Sequence, residues 1–155
     1  MNRDKLESLK ALYGFKPSPA APPERPFIGV KVNGTIAYVS GHLPFTGGEQ
    51  LYKGRIGDNV TIEEGQKSAA LSTLNCLDAL DQAVGLENVA EIVKVTGYLC
   101  CTEAITEHPS IMNAGSQVLV EVFGEAGKHA RAALGIHTLP LGASTEVEMI
   151  VSLKA

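Results

Sequence analysis

Ala130-Arg131-Ala132-Ala133-Leu134-Gly135-Ile136-His137-Thr138-Leu139-Pro140-Leu141-Gly142-Ala143-Ser144-Thr145-Glu146-Val147-Glu148-Met149-Ile150-Val151 reads as two extended segments around a Leu-Pro-Leu-Gly turn. Arg131 opens the first segment among residues that are otherwise small and apolar. Glu146 follows fifteen residues later, near the start of the second. An unpaired buried charge is costly, so this cation needs a partner. Glu146, Glu148 and the carboxylate of a bound ligand are the three choices, and the function turns on which it is. On residue types alone, a structural ion pair between Arg131 and Glu146 is the commoner arrangement.

Upstream of this stretch, residues 109–123 read as a helix with an apolar stripe of Ile111, Met112, Val118, Leu119 and Val122, closed by Gly124. Residues 92–99 are a β run. Residues 61–83 form the clearest helix. Thr61 and Glu64 make a capping box at its start, Ala70, Leu74, Leu77, Leu80 and Val84 recur at helical spacing, and Gly85 stops it. Cys76, beside the stripe, reads as core.

Nearer the start, residues 27–32 and 35–40 are β runs around Asn33-Gly34, a hairpin signal of type I′. Residues 45–49 read as a loop and 50–54 as a short strand. The order is hairpin, short strand, long helix, strand, helix, two strands. Two amphipathic helices bury their stripes most economically on one face of a mixed sheet, which predicts an α+β fold. The sheet's other face then needs a cover, and self-association supplies one.

Residues 4–13 suggest a short helix with Leu6, Leu9 and Leu12 on one side. Pro17, Pro19, Pro22, Pro23 and Pro26 then impose an extended linker. Residues 1–25 are therefore an arm attached to a domain of residues 26–155. The arm packs on its own subunit or reaches a neighbour.

The 155 residues, 45% of them hydrophobic, suit one packed domain. A net charge of −4 speaks against general nucleic-acid binding. Three cysteines make no disulfide framework, and Met1 to Lys10 is polar, which points to a reducing cytoplasm rather than secretion. No run of about 18 apolar residues is present to span a membrane. The four histidines are scattered with no metal-ligand spacing, so neither metal nor cofactor is expected. Ser40, before a glycine, has no base beside it in sequence and reads as a strand-end serine bonded locally.

Arg25-Pro26-Phe27, Val39-Ser40-Gly41-His42-Leu43-Pro44, Ala83-Val84-Gly85-Leu86, Ile92-Val93-Lys94-Val95-Thr96, Met112-Asn113-Ala114, Ala130-Arg131, Leu139-Pro140 and Glu146-Val147-Glu148, in that order and spacing, resemble the Rid family (YjgF/YER057c/UK114). Some of its members carried the name L-PSP endoribonuclease. The resemblance spans about residues 26–154 and points to a divergent, long-form member. It implies a chorismate-mutase-like fold and a homotrimer with clefts between subunits. In the active branch an arginine at the place of Arg131 holds the substrate carboxylate, a pairing of matched planar forks. Such enzymes hydrolyse 2-imino acids and their enamine tautomers to ammonia and a 2-oxo acid. The resemblance makes Glu146 the catalytic group that orients or activates water, with Arg131, Ser40, Gly41, Asn113 and Phe27 lining the substrate site. The small-molecule partner is then a 2-imino or 2-oxo acid.

Two residues depart from that pattern. Phe27 stands where the active branch has tyrosine, and Ala133 where it has cysteine. Both change the pocket wall and leave the carboxylate clamp intact. A non-catalytic carboxylate-binding protein is the competing function. Endoribonuclease action ranks below both, because the chain shows no basic or aromatic RNA-reading stretch.

Overall fold

The computed structural model describes residues 1–155. Strands β1 (Val30–Asn33), β2 (Ile36–His42), β5 (Val89–Cys100), β6 (Ala130–Ile136) and β7 (Thr145–Leu153) form one sheet in the order β1-β2-β7-β5-β6. Every neighbouring pair is antiparallel except β5 with β6. Strands β6 and β7, consecutive in sequence, lie on opposite sides of β5 and do not touch as a ladder.

Helices α2 (Ile62–Val84) and α3 (His108–Phe123) cover one face. The Thr61 hydroxyl accepts the Glu64 amide at 3.1 Å while the Glu64 carboxylate accepts the Thr61 amide at 3.1 Å, a complete capping box that contributes about 1 kcal/mol. The core takes Ala70, Leu74, Leu77 and Leu80 of the expected α2 stripe, with Val84 partly buried at its edge and Leu71 added, against Val39, Val95, Val147, Met149 and Val151 of the sheet. Met112, Val118, Leu119 and Val122 of α3 complete it, and Cys76 is buried within it. The fold is therefore α+β, with a mixed sheet and both long helices on one face.

Helix α1 (Arg3–Tyr13) buries Leu6 and Leu9 against α2 and α3 of its own chain. Arg3 bridges Asp81 and Glu87 at the end of α2. Leu12, expected on the same side, is 72% exposed. The chain leaving α1 is tied to the domain at Lys16, ahead of the prolines, where its amide donates to Thr46 Oγ1 at 2.9 Å.

Three local expectations are corrected. Strand β1 starts at Val30, and Phe27 and Ile28 are 56% and 57% exposed outside it. The hairpin turn is Gly34-Thr35, with Asn33 paired to Ile36, so only one central residue has positive φ. That is the pattern of a type II′ turn, which takes glycine first, rather than of type I′. Residues 45–50 are a tight ribbon, β3 (Phe45–Thr46) with β4 (Glu49–Gln50), turning on Gly47-Gly48, where a loop and a later strand were expected. No helix is long and apolar enough to cross a membrane.

Candidate functional site

In the β5–β6 ladder Arg131 stands beside Val95, and Val95 stands beside Met149 of β7. Val95 and Met149 are core residues under the helices, so Arg131 also projects to the helix-covered face. There it meets one side of α3, where Asn113 and Ser116 sit three residues apart and so share a helical face. Its Nη1 donates to Asn113 Oδ1 at 2.8 Å and Ser116 Oγ at 3.1 Å, and its Nη2 donates to the Pro109 carbonyl at 3.4 Å.

All three acceptors are neutral. No carboxylate lies within ion-pair reach of Arg131, so neither Glu146 nor Glu148 is its partner. A guanidinium has five donors. Three are engaged, and those left on Nε and Nη2 match the two oxygens of a carboxylate.

Further along the same face of β6 come Ala133 and Gly135. A Cβ on Gly135 would lie 2.7 Å from His108 Nε2 and 3.1 Å from Cys101 Sγ, so these two side chains close over the glycine. Cys101 Sγ and His108 Nε2 are 3.4 Å apart. Burial pushes the Cys101 thiol up, so it stays protonated at neutral pH. The shelf beside Arg131 is thus floored by small Ala133 and ended by a thiol and an imidazole.

Glu146 is elsewhere. It pairs with Tyr98 across the β5–β7 ladder, and Glu148 pairs with Thr96. These positions alternate with Val95, Val147 and Met149, so they project from the face the helices leave open. The Tyr98 hydroxyl donates to Glu148 Oε1 at 2.6 Å, which pushes the phenol up to about 12. The Glu146 carboxyl is raised above its ordinary range, first by burial and then by the charge of Glu148.

Strand β2 carries a bulge here: Val39 pairs with Met149 and His42 with Val147, leaving Ser40 and Gly41 opposite a single residue, Glu148. A Cβ on Gly41 would lie 2.7 Å from Glu146 Oε2, so glycine lets the carboxylate approach the strand. Ser40 Oγ donates to the Ile28 carbonyl at 2.6 Å, the local bond its sequence context suggested. Phe27 lies next along the chain from that carbonyl, with the Arg25 guanidinium 4.2 Å above its ring.

The residues singled out from sequence therefore fall into two groups. Arg131 and Asn113 stand on the helix side at the β6 edge. Glu146, Gly41 and Ser40, with Phe27 flanking, stand at the open face. One chain does not bring the two together, because its five-stranded sheet lies between them. Sequence reading missed Ser116 and Tyr98. The i, i+3 spacing from Asn113 and the period-2 alternation of β5 were the signals that mark them.

A protein-family profile described as "YjgF/chorismate_mutase-like, putative endoribonuclease" matches residues 24–153. Protein TCP17 of Trypanosoma cruzi is 33% identical over 142 residues, which are 90% of this chain and 89% of that protein. Among solved structures, a protein of unknown function from Agrobacterium tumefaciens superposes with a TM-score of 0.86 at 29% identity, covering 97% of this chain and 94% of the other. A "putative endoribonuclease" from Shewanella oneidensis gives 0.85 at 30% identity, covering 96% and 99%. RidA from an Antarctic Psychrobacter shares the fold at a TM-score of 0.58 and 23% identity, over 88% and 94% of the two chains.

Proposed function

Because this chain belongs to the YjgF/chorismate-mutase-like family, we propose that it is a 2-imino acid or enamine deaminase whose site forms between two copies of the chain. The observation that carries this reading is Arg131: a cation fixed by three neutral oxygens, with no carboxylate of its own and two donors left for one. A carboxylate ligand would complete its coordination with charge-assisted bonds.

The reaction then needs a proton acceptor beside the C=N carbon. Glu146 has the raised carboxyl suited to proton transfer, but in its own chain it faces away from Arg131. Assembly resolves this. The open sheet face carries Tyr38 and Leu134, 46% and 45% exposed, and needs a cover. A second copy laid on that face with its β6 edge toward Glu146 would bring one chain's Arg131 to the other's carboxylate. A closed trimer repeats that contact three times.

In the resulting cleft Arg131 holds the ligand carboxylate. Glu146 of the other chain takes a proton from water as the water oxygen bonds to the imine carbon. That proton passes to nitrogen, giving a carbinolamine. Glu146 then takes the proton of the new hydroxyl and returns it to the amine as the C=O bond forms and the C–N bond breaks, so ammonia and a 2-oxo acid leave. Neither metal nor cofactor enters this scheme, and the free thiols Cys76, Cys100 and Cys101 suit a reducing cytoplasm.

Ala133 on the shelf and Phe27 at the open-face group favour a second reading, in which the same cleft binds a 2-oxo acid without turnover. Ammonia and 2-oxo acid release from freshly generated 2-iminopropanoate separates the two. The deaminase accelerates release above the spontaneous rate. Saturable pyruvate binding with no acceleration of any small imine would leave the binding protein instead. Endoribonuclease action is the weakest reading, given the net charge of −4.

A further inference from the structure

His129 stands one residue before β6, and its Nδ1 is 2.6 Å from the Gly127 carbonyl. A carbonyl only accepts, so Nδ1 carries the hydrogen. In the neutral ring Nε2 is then a bare acceptor, and it lies 2.9 Å from Ser116 Oγ. The Ser116 hydroxyl donates its one hydrogen to Nε2, which turns its lone pairs toward Arg131 Nη1 at 3.1 Å. The chain of bonds has one direction throughout: Arg131 donates to Ser116, Ser116 to His129, and His129 to Gly127.

We propose that Ser116 and His129 are positioning residues for the anion site, fixing the polarity of one hydroxyl so that it accepts from Arg131 and holds the guanidinium with its two free donors presented. This rests on the reading that Arg131 takes a carboxylate. Without the imidazole the Ser116 hydroxyl rotates freely and can point its hydrogen at the cation, where it repels. Without the hydroxyl, Nη1 keeps only Asn113 Oδ1, and the guanidinium is left with that bond and the long 3.4 Å bond from Nη2 to the Pro109 carbonyl, a looser hold. His129 is held neutral by its surroundings: burial lowers its pKa most, the Gly127 bond opposes this, and the charge of Arg131 lowers it further. No acidic side chain pairs with His129, and the groups it bonds are uncharged.

The placement is specific. Ser116 lies one helical turn from Asn113, so both oxygens meet a single nitrogen of Arg131. The backbone at Gly127 is pinned, because a Cβ there would run into the Leu119–Val120 backbone of α3. The carbonyl that fixes the His129 tautomer is thereby held to the same helix that carries Ser116.

The test uses the full-length protein with pyruvate as probe, comparing wild type, Ser116→Ala, Ser116→Thr, His129→Leu and Arg131→Ala. Two quantities are read: the pyruvate Kd, and the nanosecond order of the Arg131 Nε–H vector by 15N relaxation. Ser116→Ala should raise Kd about tenfold, the effect of one bond to a charged group. His129→Leu should raise it less, and Ser116→Thr should restore it. Arg131 order should fall in Ser116→Ala and His129→Leu with the melting temperature unchanged. The 15N shifts of His129 should report the Nδ1–H tautomer in wild type. Unchanged Kd and unchanged Arg131 order in both variants would overturn the proposal. Absence of carboxylate binding in wild type, with Arg131 rigid there and mobile in the variants, would overturn the functional reading while supporting the positioning role.

Discussion

Arg131→Ala leaves a folded protein that no longer captures a small carboxylate, with kcat/KM for 2-iminopropanoate falling roughly 10²–10⁴-fold. The magnitude follows from two charge-assisted hydrogen bonds at about 1.5–3 kcal/mol each. Stability changes little, because Arg131 bonds only neutral acceptors and no buried carboxylate is left behind unpaired. Pyruvate titration and imine turnover, run beside a thermal melt, check both halves. An unchanged kcat/KM would remove Arg131 from the site. A large loss of melting temperature would return it to the structural role that its residue type alone suggests.

Glu146→Gln lowers kcat by about 10²–10⁴-fold, the usual contribution of a positioned proton acceptor, while KM stays close to wild type. The amide keeps the size of the carboxylate and its close approach to Gly41. Only the proton acceptor is lost, and the Arg131 clamp is untouched. The pH profile gives a second check. A base works when deprotonated, so activity should fall as pH drops through the Glu146 pKa, which burial and Glu148 raise within one chain and the facing Arg131 of the other chain lowers. Glu148→Gln removes the repelling charge and should move this acid limb to lower pH. A profile that ignores both substitutions would exclude Glu146 as the base.

Local features were legible because they depend on neighbours in sequence. The Thr61–Glu64 capping box, the Leu74–Leu77–Leu80 stripe and the Gly85 stop all appear in α2 as read. The hairpin at Asn33-Gly34 was recognised but slipped by one residue, since Gly34 takes the only positive φ of the turn. The partner of Arg131 was not legible. The fifteen-residue separation of Arg131 and Glu146 invites pairing, yet β5 inserts between β6 and β7. Through β5, Arg131 aligns with Val95 and Glu146 with Tyr98, three residues apart on a strand and so on opposite faces. Strand order, a long-range property, decides whether the two groups can meet within one chain.

The same parity makes the proposed sharing of the site between two chains testable through complementation. Arg131→Ala and Glu146→Gln chains, each inactive alone, are denatured, mixed in equal amounts and refolded together. Where each site takes Arg131 from one chain and Glu146 from another, random assembly leaves about one quarter of the sites with both groups intact. Imine hydrolysis should then recover to about that fraction of wild type. A mixture as inactive as its parents, in oligomers shown to have exchanged subunits, would contradict a site shared between chains.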